Sequence, residues 1–157
     1  MVRTTKLTTL LAASVFTVAG FSANAADFTL KLAHVLTADQ PSAIAAERVA
    51  KEVAEKSGGR LEIQILPAGQ LGSDVEIIEQ IQMNSVQIGF PPTAKLGNFE
   101  PRMQLTDLPF IFPTRTALEA VLDGDVGEEL LAGLDKQGLK GICFWGSGYK
   151  QITTSVR

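Results

Sequence analysis

The sequence predicts an α/β protein with a mostly parallel βαβαβ sheet flanked by helices. Three segments have the alternating or short apolar pattern of strands, and the two segments between them repeat apolar residues at helical spacing. Two successive strand–helix–strand connections imply parallel strands joined by right-handed crossovers. The chain shows no internal repeat and no low-complexity stretch.

The first strand is predicted at residues 28–35, where apolar and polar side chains alternate. A turn follows, in which Asp39 is placed to cap the next helix and Pro41 suits its first turn. Residues 41–56 carry Ala and Val on one stripe and charged side chains largely on the other face, as an amphipathic helix does. A Ser-Gly-Gly sequence ends this helix, because glycine accepts a left-handed cap.

The second strand is predicted at residues 61–66, which alternate cleanly. After a loop rich in Pro and Gly, Ser73 and Glu76 have the spacing of a capping box, in which each side chain satisfies a free amide of the new helix. The helix covers about residues 74–84 and turns its isoleucines inward. Residues 86–90 form the third strand and complete the βαβαβ order.

The prolines of residues 91–113 predict a mostly irregular stretch with one helical turn near residues 93–99. Within it, residues 107–112 are too apolar for a solvated linker, so we expect them to pack against other parts of the protein.

Helices are predicted at about residues 114–122 and 126–136. Residues 139–145 are a candidate buried strand that includes Cys143, and residues 149–155 are a more polar extended segment. A buried thiol in such a strand behaves as a small apolar side chain and not as a nucleophile.

The first residues of the chain have the order of a secretory signal peptide. Two basic residues precede an apolar stretch at residues 7–21, and Ala23-Asn24-Ala25 supplies the small residues of a cleavage site. We therefore expect residues 1–25 to be removed, with cleavage after Ala25 or Ala26, and residues 26–157 to form one exported lobe without direct insertion in the membrane. An uncleaved membrane anchor is the alternative.

Composition points to binding and away from catalysis. Cleavage behind Ala25 leaves 132 residues with 12 Lys and Arg against 17 Asp and Glu, and this mild acidity argues against nucleic acid and anionic membranes as partners. The single cysteine excludes an internal disulfide, and the single histidine argues against a transition-metal site. We expect no catalytic residue, metal or cofactor.

Five segments, taken in order, resemble the solute-binding receptor of tripartite ATP-independent periplasmic (TRAP) transporters, of the DctP type. They are Leu-Lys-Leu-Ala-His at 30–34, Pro-Ala-Gly-Gln-Leu-Gly-Ser-Asp-Val-Glu at 67–76, Leu-Thr-Asp-Leu-Pro-Phe-Ile-Phe at 105–112, Leu-Asp-Gly-Asp-Val-Gly at 122–127 and Trp-Gly-Ser-Gly-Tyr-Lys-Gln at 145–151. The resemblance implies a periplasmic-binding-protein-like lobe, a small organic anion as ligand and a membrane permease as partner.

The same resemblance implies that a second lobe is missing. Two-lobe receptors need about 250 to 350 residues, two domains of ordinary size. In the family, the arginine that pairs with the ligand carboxylate lies on the second lobe. We therefore interpret the chain as a truncated first lobe that binds ligand weakly or not at all by itself.

Ligands of open α/β sheets lie beyond the carboxyl ends of the strands, and this rule together with the resemblance selects the candidate ligand-binding residues. They are His34, Gln70, Asp74, Thr93, Trp145, Tyr149 and Lys150. Pro91 and Pro92 depart from the family, in which a polar residue is common here, and they make this wall less polar.

Several candidates also have a purely structural interpretation. His34 suits a half-buried histidine that hydrogen-bonds a nearby loop, and Asp74 suits the first turn of a helix. Trp145 suits the core, and Lys150 suits a solvated surface.

Two other functions remain open at this point. One is the receptor of an ATP-driven uptake system, whose lobes have a similar strand–helix alternation. The other is a small periplasmic enzyme that uses His34, with an acid such as Asp74, as general base.

Overall fold

A computed structural model of the protein describes residues 26–146, 148 and 155. The predicted signal peptide and nearly all of the predicted extended segment at residues 149–155 lie outside the described residues. Within the described part, no helix has both the length and the apolar character needed to cross a membrane.

The core of the fold is a three-stranded parallel sheet in the order β2-β1-β3. Its strands are β1 (Phe28–Ala33), β2 (Leu61–Leu66) and β3 (Ile88–Gly89). Phe28 pairs with Leu61 and the register continues to Ala33 with Leu66, while Ala33 also pairs with Gly89 of β3. The predicted parallel βαβαβ sheet is therefore confirmed, although β1 and β3 are shorter than expected.

The two crossover helices are α1 (Pro41–Lys56) and α2 (Asp74–Gln82). The predicted capping box of α2 is present, with Ser73 and Glu76 each bonding the other's backbone amide. For α1 the expected cap is wrong: the residue before the helix is Gln40, which makes no side-chain cap, and Asp39 accepts a hydrogen bond from the Thr37 hydroxyl instead.

The rest of the described chain is helical and irregular. A short helix, α3 (Thr93–Leu96), precedes a 3₁₀ helix at Pro101–Asp107. Two helices of similar length follow, α4 (Arg115–Leu122) and α5 (Asp125–Gly133). Helix α5 continues into a second 3₁₀ helix at Leu134–Gln137.

Two apolar clusters hold these layers together, and α2 contributes to both. The sheet cluster contains Ala33, Ile77 and Val86 and lies between α2 and the ends of β1 and β3. The helical cluster joins α2, the first 3₁₀ helix, α5 and the residues after it; its buried members are Ile78, Met103, Leu130, Leu134 and Leu139.

The predicted buried strand at residues 139–145 is wrong. Residues 139–146 have no regular secondary structure, Ile142 is 80% exposed and Cys143 is exposed rather than buried. Leu139 alone in this run is buried, in the helical cluster. A strand needs a neighbour to satisfy its backbone groups, and none of the described residues pairs with this segment.

Most of residues 107–112 do not pack against the described part of the chain, and what covers this apolar segment stays a prediction. Leu108 and Ile111 are exposed, and Phe110 is 99% exposed at a backbone φ of +62°. Pro109 and Pro113 restrict the backbone on both sides, so the chain makes an outward turn here instead of folding back on the core.

Candidate functional site

The carboxyl ends of the three strands meet at one edge of the sheet because the strands are parallel. Backbone hydrogen bonds tie the loops at this edge together. The amide of His34 donates to the Leu66 carbonyl at 3.2 Å, and the carbonyl of His34 accepts from the Gly69 amide at 3.0 Å. The amide of Ala68 donates to the Leu36 carbonyl at 3.0 Å. These main-chain hydrogen bonds therefore fix the loops after β1 and β2 relative to each other.

His34 directly follows the central strand, β1, and its side chain is buried at this edge. It is 3% exposed, and neither ring nitrogen makes a hydrogen bond with the described part of the protein. Burial lowers the pKa of the imidazole, while the charge of Glu47 and the carbonyl of Leu36 act in the opposite direction. The imidazole is therefore more deeply covered than the half-buried histidine of the structural interpretation, and the Leu36 carbonyl is the loop group that acts on it.

An aromatic stack covers His34. The ring centroid of Phe90 lies 5.0 Å from that of His34 with an interplanar angle of 31°, and 5.4 Å from that of Trp145 with an angle of 27°. These are the distances of favourable aromatic pairs. Trp145 is 41% exposed, so it lies at the surface of the edge and not in the core.

Phe90 is a residue that the candidate list missed. It directly follows β3, so the rule that selected the other strand ends also applies to it. The sequence contained that signal, but an aromatic residue at a strand end looked like part of the strand.

The loop and helix after β2 contribute Gln70 and Asp74. Gln70 is exposed, and Asp74 is partly buried in the first turn of α2. Desolvation raises the pKa of Asp74, and the charge of Lys95 on α3 acts against this. The Asp74 carboxylate makes no hydrogen bond with the residues that the structure describes. It therefore keeps its acceptor capacity for another molecule.

Thr93, at the start of α3, is held by neighbours from the first 3₁₀ helix. Its hydroxyl accepts a hydrogen bond from the Thr106 hydroxyl at 2.7 Å and donates to the Asp107 carboxylate at 3.4 Å. These bonds dock α3 onto the 3₁₀ helix and leave the Thr93 hydroxyl less available than Asp74 for an outside partner.

The structure thus brings His34, Phe90 and Trp145 together in one stack and places Gln70, Asp74 and Thr93 in the loops and helices that follow β2 and β3. Tyr149 and Lys150 lie outside the described residues. Among residues 26–146, 148 and 155 there is no group of three or more side chains suited to a metal ion.

A separate groove lies away from the strand ends. It has a volume of about 430 Å³ between the first 3₁₀ helix and α5, and none of the candidate ligand-binding residues lines it. Its wall is mainly apolar, with Leu105, Leu108, Val126 and Leu130, and the ion pair of Arg102 and Glu129 at 2.8 Å lies at its rim.

Comparison with protein families gives a match over residues 32–157 to the DctP family, described as bacterial extracellular solute-binding protein, family 7. The C4-dicarboxylate-binding protein DctB of Bacillus subtilis is 42% identical over 125 residues, which are 80% of this chain and 36% of that protein. The C4-dicarboxylate-binding periplasmic protein DctP of Vibrio cholerae is 33% identical and covers 94% of this chain and 46% of its own length.

Solved structures agree with this match. A TRAP periplasmic solute-binding protein from Sulfurospirillum deleyianum with bound succinate has a TM-score of 0.68 at 36% identity, over 71% of this chain and 36% of its own. The sugar-acid-binding protein DctPAm of Advenella mimigardefordensis in complex with galactonate has a TM-score of 0.76 at 30% identity, over 80% of this chain and 40% of its own.

The chain spans less than half the length of these relatives. The family match covers the end of β1, the strands β2 and β3, both crossover helices and the aromatic stack, and it confirms the resemblance inferred from the sequence motifs. The chain belongs to the DctP family of bacterial extracellular solute-binding proteins, a family of receptors and not of enzymes.

Proposed function

We propose that residues 26–157 form the first lobe of a receptor for a small organic acid, with the ligand at the carboxyl edge of the sheet. The observation that carries this proposal is the parallel register, which places the ends of β1, β2 and β3 side by side. The ligand contacts are Gln70, Asp74 and Trp145 at the surface of this edge, with Thr93, Tyr149 and Lys150 as the remaining contacts from the sequence motifs.

The relatives supply the ligand class. Two are named for C4-dicarboxylates, and the solved neighbours hold succinate or galactonate. All of these molecules are small organic acids. Because this chain spans less than half of each relative, we expect it to make only part of the contacts and to bind in the millimolar range, with about 4 kcal/mol of binding free energy.

Asp74 discriminates within this class. Its carboxylate has no hydrogen-bond partner in the described chain and is only partly solvated. Such a group accepts hydrogen bonds from ligand hydroxyls but repels a second ligand carboxylate. We therefore expect a hydroxylated acid such as galactonate to gain from Asp74, whereas succinate gains nothing from it.

The chain's place in the cell follows from the same proposal. Residues 1–25 direct export and are removed, and the lobe delivers its ligand to a membrane permease of the TRAP type in the periplasm. The family match supports this partner over the permease of an ATP-driven system.

The geometry gives no support to an enzyme that uses His34 and Asp74. A general base must reach the proton that it removes, directly or through one water. Both ring nitrogens of His34 are buried and covered by the aromatic stack. Asp74 lies in another element and makes no hydrogen bond with His34.

Binding can be tested by calorimetric titration of the chain with galactonate, succinate and an uncharged sugar at millimolar concentrations. We expect heat from both acids and none from the sugar. Asp74→Asn should weaken galactonate binding by roughly five- to tenfold, the loss of one hydrogen bond to a charged group, and leave succinate unchanged or improved. Asp125→Asn is the matched control, since Asp125 is also a first-turn acidic residue, on α5.

Two results would contradict the proposal. One is the absence of heat with every acid tested up to tens of millimolar. The other is an equal loss of galactonate binding in the Asp74 and Asp125 variants, because only Asp74 lies at the edge of the sheet.

A further inference from the structure

The chain contains one histidine and one tryptophan, and both belong to the same stack. Phe90 lies between them, 5.0 Å from the ring of His34 and 5.4 Å from the ring of Trp145. The stack therefore joins the end of the central strand, the end of β3 and the irregular segment at residues 139–146.

The imidazole at the base of this stack is held in its neutral form. It is 3% exposed and its two nitrogens have no hydrogen-bond partner in the described chain. An imidazolium would carry two donors and a positive charge into this site, and a buried charge without an acceptor is costly. Protonation is therefore incompatible with the present position of the ring.

The surroundings of the ring contain few charges that offset this cost. Glu47, on α1, is the charged side chain in the described chain that favours the protonated form. The carbonyl of Leu36 also favours the protonated form, although it already accepts a hydrogen bond from the Ala68 amide at 3.0 Å. The other two neighbours are the uncharged rings of Phe90 and, beyond it, Trp145. To gain a proton, the imidazole must reach water, and Phe90 is the ring that lies against it.

The other described attachments of the segment that carries Trp145 lie before Trp145, and they include the ion pair of Lys140 with Asp135 at 3.3 Å. Leu139 is buried and its amide donates to the Leu134 carbonyl, and Phe144 packs partly against the helical cluster. Within residues 140–146, the described part contains no hydrogen bond from a backbone amide to another backbone group. Loss of the contact between Phe90 and Trp145 therefore frees the outer end of this segment.

We propose that His34, Phe90 and Trp145 form an acid-sensitive latch that holds Trp145, at the outer end of residues 139–146, against the carboxyl edge of the sheet. At neutral pH the latch is closed. In acid, His34 takes up a proton, Phe90 moves off the ring and Trp145 is released into solvent. A role for the latch in a receptor, in which external pH alters the ligand-binding edge of the sheet, rests on the proposed function. The existence of the latch does not.

The size of the effect follows from proton linkage. The released histidine has its ordinary pKa of 6.5 and the latched one a lower value. The latched form is thus favoured fully above pH 6.5 and loses stability as the pH falls below it. Uptake of one proton changes the ratio of latched to released molecules by about tenfold for each pH unit between the two pKa values.

Tryptophan fluorescence measures the latch directly, because Trp145 is the single tryptophan. The experiment titrates the intact chain from about pH 8 to about pH 4.5, above the range in which most carboxylates titrate, with far-UV circular dichroism followed in parallel. We expect a red shift of the emission with a midpoint below pH 6.5 and a one-proton slope, while the far-UV spectrum stays unchanged.

Variants separate the latch from other causes. His34→Phe keeps an aromatic ring under Phe90 and should abolish the transition, as should His34→Gln if the phenylalanine variant folds poorly. Glu47→Gln, at an exposed position, removes the charge that favours protonation and should move the midpoint to lower pH. Asp125→Asn, on α5, should leave the midpoint unchanged.

Three results would overturn the latch: an emission spectrum that does not change with pH, the same transition in both His34 variants, or a transition that coincides with loss of the far-UV signal. None of these measurements uses a ligand. A failure to bind organic acids would therefore contradict the proposed function but not the latch. A failure of the pH titration would contradict the latch but not the proposed function.

Discussion

Helix α2 holds the sheet cluster and the helical cluster together through two adjacent residues, and this can be tested by Ile78→Val. Ile78 is 1% exposed and packs against Met103, Leu130 and Leu134. Removing one methylene from such a site should cost about 0.5–1.5 kcal/mol of unfolding free energy. Ile78→Ala should cost about 2–5 kcal/mol, which is a large part of the roughly 5–15 kcal/mol that stabilises a whole domain.

The valine variant is therefore the informative one, because the alanine variant risks unfolding the chain. The assay is urea denaturation followed by far-UV circular dichroism near neutral pH, with the midpoint and slope fitted together. Ile44→Val is the matched control: Ile44 lies on α1, also a helix, but is 57% exposed. Its replacement should change the unfolding free energy by less than about 0.5 kcal/mol.

An equal effect of the two substitutions would refute the packing of α2 described above. A loss at Ile78 without any change at Ile44 would support it. Ile77→Val should behave as Ile78→Val does, since Ile77 is 2% exposed in the sheet cluster.

Three further substitutions test local features. Ser73→Ala removes one half of the α2 capping box and should lower the unfolding free energy by about 1 kcal/mol in urea denaturation. The pKa of Asp74 is raised in the folded chain, so the folded chain keeps this proton to higher pH than the unfolded chain does and loses stability as the pH rises above 3.8. This loss should be absent in Asp74→Asn when the melting temperatures of parent and variant are compared between about pH 3.5 and pH 7. A Cβ at Gly127 would overlap with the Leu122 carbonyl oxygen, so Gly127→Ala should disrupt the junction of α4 and α5 at a cost of about 3 kcal/mol in unfolding free energy. Gly138→Ala, in open space at a φ of +70°, should cost only about 1–2 kcal/mol.

Each of these expectations has a result that contradicts it. For the capping box it is a Ser73 variant as stable as the parent. For Asp74 it is the same pH profile in parent and variant. For Gly127 it is a cost no greater than that at Gly138.

The sequence predicted the elements whose cause is local. Strand β2 and helix α1 agree with their predicted bounds because alternation and amphipathic spacing are properties of consecutive residues. The capping box at Ser73 and Glu76 is local in the same way. The parallel topology followed from the order of these elements.

The errors arose where the outcome depends on distant residues. The apolar run at residues 139–145 was predicted as a strand, but a strand also needs a partner, and a run of apolar residues does not reveal one. Residues 107–112 were expected to be covered, and Phe110 is not covered by the described part of the chain, because apolar character alone does not identify the residues that cover a segment.

The candidate site shows the same division. The strand-end rule selected His34, which directly follows β1 in the structure, and Trp145 reaches the same edge through its stacking on Phe90 although it follows no strand. The rule did not reveal that Phe90 covers the imidazole, because that contact joins the ends of two strands that are far apart in the sequence. A search for aromatic residues at the ends of neighbouring strands would have found it.

The central claim is that an organic acid binds at the carboxyl edge of the parallel sheet. The most direct test is a titration of the ¹⁵N-labelled chain with galactonate, followed by amide chemical shifts. The account predicts that the shifted amides lie at residues 34–36, 68–74, 90 and 93, around the ends of the three strands. It is contradicted if these amides do not move, or if the shifts lie instead along the apolar groove around Leu105, Val126 and Leu130.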